Sequence, residues 1–146
     1  MPGTSTERFA RLFPGLNRAY GAVDLTGRDP SGKQTGKYKF VHEPRTTATF
    51  TAHLDGTSSI GVVPIDEKNE CRWGALDIDR YPLDLTSLVA RLDKLALPLV
   101  VCRSKSGGGH LYLFLTAAVP AGKLQNRLKE IASEIGCGDC EIFPKQ

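Results

Sequence analysis

Two aspartates at alternate positions, Asp77 and Asp79, are the residues of this sequence best suited to chemistry. They end an apolar run, and alternate residues of a β-strand point to the same side, about 6 to 7 Å apart. Carboxylate oxygens are the ligands that Mg²⁺ and Mn²⁺ prefer, and two such ions about 4 Å apart promote phosphoryl transfer. A polar strand end entering a loop shows the same pattern, so the pair needs support from elsewhere.

A second segment, residues 103–110 (RSKSGGGH), is rich in glycine and in cationic or hydroxyl side chains. Successive glycines let backbone N–H groups approach an anion, and lysine, serine and histidine add donors for phosphate oxygens. The order matches neither a Walker loop nor a dinucleotide fingerprint, and a hairpin turn with basic neighbours by chance is the alternative. We expect a nucleotide-binding loop that includes Arg103, Ser104, Lys105, Ser106, Gly107, Gly108 and His110.

The elements that must position these residues follow from the hydrophobic pattern. Strands are predicted over residues 71–79, 99–102, 110–115 and 139–143, with amphipathic helices over residues 85–95 and 124–135. The order β-α-β-β-α-β from residue 71 is typical of the ferredoxin-like unit of RNA-recognition domains and polymerase palms. The predicted class is therefore α+β, with a palm-like sheet in the order fourth, first, third, second strand.

Side-chain alternation predicts which residues share the face of this sheet that the helices leave open. The aliphatic residues of the three central strands fall on the helix-covered face. The open face then collects Asp77, Asp79, His110 and Tyr112 with a carboxylate from the last strand. Of the two acids there, Glu141 is favoured over Asp139, which stands beside Gly138 at the strand start.

The first part of the chain is less regular. The pattern predicts a helix over residues 5–20, a loop over 24–37, a helix over 47–54 and an extra edge strand over 60–65. Residues 1–54 carry eight basic and four acidic side chains, whereas the rest of the chain carries eleven basic and twelve acidic ones. We expect a single domain over 1–146, with a basic N-terminal part (1–54) and a palm-like core (59–146).

Composition limits the remaining classes. No run reaches the roughly 18 to 20 apolar residues of a membrane span, and the first residues lack a secretory pattern, so no membrane is expected. The four cysteines do not form a disulfide framework, and we expect a cytoplasmic chain that keeps them reduced.

Three segments together resemble motifs I, II and III of the archaeo-eukaryotic primase superfamily, with the greatest similarity to phage and TOTE conflict-system primase–polymerase domains. They are residues 73–79 (WGALDID), 104–112 (SKSGGGHLY) and 141–146 (EIFPKQ). Residues 53–56 (HLDG) followed by Ile60 resemble the lead-in to motif I. The similarity covers residues 47–146, and because family members continue past motif III we expect a fragment of a longer module.

The resemblance implies a metal-dependent nucleotidyltransferase that makes or extends a DNA or RNA primer on a template. It assigns the catalytic Mg²⁺ or Mn²⁺ to Asp77, Asp79 and Glu141. It assigns the incoming triphosphate to Ser106 and His110, with help from Lys105, and places Lys145 near phosphates. The implied partners are a single-stranded DNA template, a primer, nucleoside triphosphates and a helicase domain or protein.

Two alternatives share the same sheet. A non-catalytic module of the RNA-recognition type would bind single strands by stacking bases on Trp73, Tyr112 and Phe114. A palm-type nuclease or nucleotide cyclase would use the same acids for a different product.

Overall fold

The computed structural model of the chain describes residues 3–32 and 34–145, apart from the side chain of residue 34. The chain folds into two compact units, Met1–Glu67 and Lys68–Gln146. Each unit has its own sheet, two-stranded in the first and four-stranded in the second.

The first unit begins with a short capped helix. Helix α1 (Ser5–Leu12) starts at Thr4, whose hydroxyl accepts from the Glu7 amide while the Glu7 carboxylate accepts from the Thr4 amide. The prediction of a helix to residue 20 is wrong, because Phe13 leaves the helical conformation and Pro14 follows it.

The predicted loop over residues 24–37 is also wrong. Strands β1 (Tyr20–Arg28) and β2 (Gln34–Val41) form an antiparallel hairpin, and the turn-forming residues occupy only its connection. The strands were hidden because Leu25 and Tyr38 are 63% and 70% exposed, so no buried face produces an alternating pattern. A β-bulge between Leu25 and Gly27 interrupts the alternation further.

The predicted helix over residues 47–54 is confirmed as α2 (Thr47–Leu54). The predicted edge strand over residues 60–65 is wrong. Within the described residues, this segment forms a single bridge, in which the amides of Gly21 and Gly61 donate to each other's carbonyls at 2.8 and 2.6 Å. The bridge joins the segment to the hairpin of the first unit, and Pro64, which lacks a backbone N–H, limits any longer ladder.

The second unit has the predicted β-α-β-β-α-β order. Its elements are β3 (Glu70–Ile78), α3 (Leu85–Lys94), β4 (Val100–Arg103), β5 (Gly109–Pro120), α4 (Ala121–Glu134) and β6 (Glu141–Phe143). All neighbouring strands are antiparallel and their order is β4-β5-β3-β6, so the palm-like sheet and its strand order are confirmed.

The core of this unit lies between the sheet and its helices. Leu76 and Leu111 have no exposed surface, and α4 packs on β3 through Leu128, which is equally buried. The helix approaches closely because β3 has a glycine there: a Cβ on Gly74 would lie 2.6 Å from Cδ1 of Leu128. The opposite face of β3 carries the buried Trp73 and Ala75 and, at its end, the partly exposed Asp77. No helix in the described part of the chain is long and apolar enough to cross a membrane.

Candidate functional site

The register of the central strands places Asp77 between two functional side chains. Its Cα lies opposite that of His110 on β5 and opposite that of Glu141 on β6. Residues directly opposite each other in an antiparallel ladder share a face. The backbone pairing alone therefore gathers an acid from each of two strands and an imidazole from a third.

Asp77 is in an electrostatic environment that favours a cation. Its side chain is 25% exposed, and Nε2 of His110 lies 3.3 Å from its Oδ1. This approach lacks hydrogen-bond geometry, so the buried Oδ1 has no hydrogen-bond partner among the described residues. Burial raises the pKa of Asp77, His110 lowers it, and the nearby carboxylates of Asp79 and Glu141 raise it further. Desolvation and like charge both penalise the bare carboxylate, and a bound cation would offset both.

Asp79 lies one residue beyond the end of β3 and is fixed by a side chain rather than by the ladder. Its carboxylate accepts a hydrogen bond of 2.8 Å from the hydroxyl of Tyr81. The same hydroxyl lies 2.9 Å from Oγ of Ser106 in the glycine-rich loop. The sequence prediction did not include Tyr81, because both Asp79 and Tyr81 lie beyond the end of β3 and no periodic pattern relates them.

The two acids of the last strand have different partners. Glu141 lies in β6, and its Oε1 is 2.8 Å from Nζ of Lys145, which also lies over the ring of Phe143. Asp139 precedes the strand and forms an ion pair with Arg80, and this hydrogen bond lowers the pKa of Asp139. Arg80 was also missed by the sequence prediction. It already neutralises Asp139, which leaves Glu141 as the acid in register with Asp77.

These carboxylates surround one open cleft of about 120 Å³. The lining residues come from the end of β3, the segment after it and the start of β6. They are Asp77, Ile78, Asp79, Arg80, Asp139, Cys140 and Glu141. Burial raises the pKa of the Cys140 thiol to about 11, so at neutral pH it is a protonated, unreactive wall of the cleft.

The glycine-rich loop is a tight turn fastened to the end of β3. The Ser104 amide donates to the Gly108 carbonyl at 2.9 Å, and the Gly107 amide donates to the Ser104 carbonyl at 3.1 Å. A Cβ on Gly108 would collide with the carbonyl oxygen of Ile78. Gly107 has φ +96°, which other residues rarely adopt. Gly107 and Gly108 are thus required by the geometry of the turn, while Lys105 and Ser106 are exposed at its tip.

The predicted nucleotide-binding residues divide between the two faces of the sheet. His110 is on the open face, where its Nδ1 lies 3.4 Å from the Tyr112 hydroxyl. Arg103 lies opposite Gly109 at the end of β4 and by alternation shares the helix-side face with Leu111, away from Asp77. Ser104 is 8% exposed, so its hydroxyl lies within the base of the loop.

Residues 28–144 match the family model of the archaeo-eukaryotic primase domain of TOTE conflict systems. The chain belongs to this family. A search among curated proteins found no match.

The family match confirms the resemblance drawn from the three motifs. The segments that resemble the three motifs lie in β3 and one residue beyond it (73–79), in the β4–β5 turn with the start of β5 (104–112), and in β6 with the residues after it (141–146). The final residue of motif III, Gln146, lies outside the described residues.

A divalent cation fits the donor chemistry of the cleft. Asp77 contributes a buried carboxylate oxygen without a hydrogen-bond partner in the described residues, and Asp79 and Glu141 line the same space. Within residues 3–32 and 34–145, no group of three or more His, Cys, Asp or Glu side chains is placed to hold a metal ion. The Glu141 carboxylate is paired with Lys145, whose ammonium group would compete with a cation for the same oxygens.

Proposed function

We propose that this primase-family chain is a metal-dependent nucleotidyltransferase that makes or extends a primer on a template. The observation that supports it most directly is the position of Asp77, in register with both Glu141 and His110 and next to the loop that carries Ser106. An acid cluster beside a phosphate-binding loop is what nucleotidyl transfer requires, since metal ligands and phosphate ligands must meet at one reacting phosphorus.

In this proposal, Asp77, Asp79 and Glu141 hold Mg²⁺ or Mn²⁺. When bound, these ions stabilise negative charge on the attacking and leaving oxygens of the displacement. The partly buried environment of Asp77 supports this role, because Oδ1 loses water without gaining a hydrogen bond from the described residues.

We assign the incoming triphosphate to the side of the acid cluster where His110 and the glycine-rich loop lie. His110 and Ser106 donate to phosphate oxygens, and Lys105 at the exposed tip of the loop adds charge. Lys145 binds phosphate when it leaves Glu141, so the two groups are alternative partners for this lysine. Arg103 lies at the end of β4 on the helix-side face of the sheet. We therefore propose that it contacts the nucleotide only outside the cleft.

We further propose a single-stranded DNA template with its primer and nucleoside triphosphates as partners, a helicase domain or protein acting with them, and the cytoplasm as the site of action. The greater positive charge of residues 1–54 supports an anionic partner. An acid-lined cleft repels the same polyanion unless cations neutralise it, which supports metal-dependent binding.

The experiment that tests the proposal follows the products formed on a 5′-labelled primer annealed to a longer template. The chain is incubated with deoxynucleotides or ribonucleotides and with Mg²⁺ or Mn²⁺, alongside Asp77→Asn. Extension by the wild type and its loss in the variant support the proposal. A matched control is Asp93→Asn, which removes an exposed carboxylate from α3, outside the cleft.

The other outcomes identify the alternatives. Shortened labelled strands would indicate a nuclease, and conversion of the nucleotides to cyclic products would indicate a cyclase. Template binding that is equal in the wild type and in Asp77→Asn, with no new product, would indicate a binding module. Any of these three results contradicts the proposal.

A further inference from the structure

The hydroxyl group of Tyr81 contacts two residues that belong to different motifs. It lies 2.8 Å from Oδ1 of Asp79, which follows β3, and 2.9 Å from Oγ of Ser106, at the tip of the β4–β5 loop. The contact therefore links the acid side of the site to the loop side.

The protons of this contact can be assigned from chemistry. An ionised carboxylate only accepts hydrogen bonds, whereas a phenol and an aliphatic hydroxyl each donate one proton and accept others. The phenol of Tyr81 is the donor in both contacts, and because it carries one proton it donates at any one time either to the Asp79 carboxylate or to Oγ of Ser106. Both acceptors are thus held beside the same phenol oxygen, and the proton of the Ser106 hydroxyl remains available to a phosphate oxygen.

The rest of the loop explains why its tip benefits from such a contact. Its base is fixed, because Gly108 packs on the Ile78 carbonyl and the Ser104 amide bonds the Gly108 carbonyl. Its tip is exposed and contains Gly107, with φ +96° and maximal backbone freedom when unfolded. The Tyr81 ring lies beside this tip, since a Cβ on Gly107 would be 3.9 Å from Cδ1 of Tyr81.

We propose that Tyr81 is a positioning residue that holds Ser106 at a fixed place relative to Asp79 for the triphosphate of the incoming nucleotide. This role rests on the proposed function. Tyr81 acts through Ser106 and Asp79 and does not itself touch the reacting atoms. Because the three side chains are exposed, the contact adds little to global stability and instead restricts the loop tip.

Tyr81→Phe tests this role because it removes the hydroxyl and keeps the ring. We expect the KM for the nucleotide to rise about 5- to 10-fold, the effect of one hydrogen bond, with kcat within about twofold of wild type. When Tyr81→Phe is combined with Ser106→Ala, it should change the KM for the nucleotide by less than about twofold, because the contact between the two hydroxyl groups is already absent. Tyr38→Phe, on the exposed hairpin of the first unit, is the matched control and should leave the KM unchanged.

Hydrogen exchange of the nucleotide-free protein provides a readout independent of activity. In Tyr81→Phe, the Gly107 amide at the loop tip should exchange about 3- to 10-fold faster, while the Ser104 amide at the fixed base and the Leu111 amide in the core keep their wild-type rates. Unchanged loop exchange, an unchanged KM, or faster exchange of Leu111 as well would overturn the positioning role. If the wild type incorporates no nucleotide, the proposed function fails, and loop exchange still shows whether Tyr81 holds the loop.

Discussion

The Cα atom of Asp77 on β3 lies directly opposite that of Glu141 on β6 in an antiparallel ladder. Two carboxylates are thus brought side by side by backbone pairing, before any side-chain interaction is considered. Burial is the main cause that raises the pKa of Asp77, and the Glu141 carboxylate raises it further, so the pair is electrostatically unfavourable without a cation.

Asp77→Asn should reduce metal-dependent incorporation to below about one hundredth of wild type, in the range found when a group that stabilises transition-state charge is removed. The variant should also be at least as stable as wild type at neutral pH. Because the pKa of Asp77 is raised in the folded state, the ionised carboxylate costs stability as the pH rises above its ordinary value of 3.8.

Thermal melting over a pH series checks the second part. The advantage of Asp77→Asn over wild type should be greatest near neutrality and should shrink as the pH falls toward 4. A variant that melts well below wild type at neutral pH would mean that the carboxylate supports the fold.

Glu141→Gln should lower metal-dependent turnover more than Asp139→Asn. Glu141 is in register with Asp77, while the Asp139 carboxylate is engaged by Arg80. Both substitutions keep the side-chain size and remove one charge. Steady-state rates across a Mg²⁺ titration decide the matter, and a larger loss in Asp139→Asn would transfer the third acid to that residue.

His110→Ala should raise the nucleotide KM while leaving template binding unchanged. The imidazole is on the open face between Asp77 and Tyr112, and losing one charge-assisted hydrogen bond costs about 1.5 to 3 kcal/mol. His42→Ala removes an exposed imidazole from the first unit and is the control. An unchanged KM with a lower melting temperature would give His110 a structural role.

Gly108→Ala should destabilise the second unit by about 1 to 3 kcal/mol and weaken nucleotide binding at the same time. The new methyl group would collide with the Ile78 carbonyl oxygen, so the loop must move away from the end of β3. Gly138→Ala meets nothing within 4 Å and should be neutral. Chemical denaturation measures the free energy of unfolding, and nucleotide titration measures the affinity. If both values for Gly108→Ala equal those of wild type, the loop tolerates the displacement.

Asp84 should make helix α3 sensitive to acid. Its carboxylate caps the helix by accepting from the Ser87 amide at 3.1 Å and from the Ser87 hydroxyl at 2.6 Å, which lowers the pKa of Asp84. Its contribution is complete above the ordinary pKa and is lost as the pH falls through the lowered one. The melting temperature of Asp84→Asn should depend less on pH than that of wild type as the pH falls through the lowered pKa of Asp84. A pH dependence equal to that of wild type would contradict the role of the ionised Asp84 as the cap of α3.

The palm-like sheet could be predicted from the sequence most clearly at β5, where the buried Leu111 and Leu113 alternate with the partly exposed His110, Tyr112 and Phe114. This period of two identifies the strand and its open side. The predicted strand order placed β3 between β5 and β6, but the register that sets Asp77 opposite His110 and Glu141 was not predicted. The N-terminal hairpin was not predicted because its strands have no equivalent buried face. The end of α1 at Leu12 was not predicted because it depends on Phe13 leaving the helical conformation.

The site was predicted in its acids and loop but not in the contacts between them. Arg80 and Tyr81 belong to no motif, and only the folded backbone shows that they meet Asp139 and Ser106. The role of Gly108 was also different from the expected one: the sequence indicated access for an anion, whereas the structure shows close packing against Ile78.

Strand β6 is only three residues long and follows directly on a turn in which the Cys140 amide donates to the Cys137 carbonyl. A strand this short has few contacts to absorb a shift, and a slip by one residue turns every side chain to the other face. Loss or gain of a single residue in this turn would therefore carry Glu141 to the helix side and leave Ile142 in the cleft. The length of the turn between α4 and β6 thus determines which side chain stands beside Asp77, independently of the residue types within the turn.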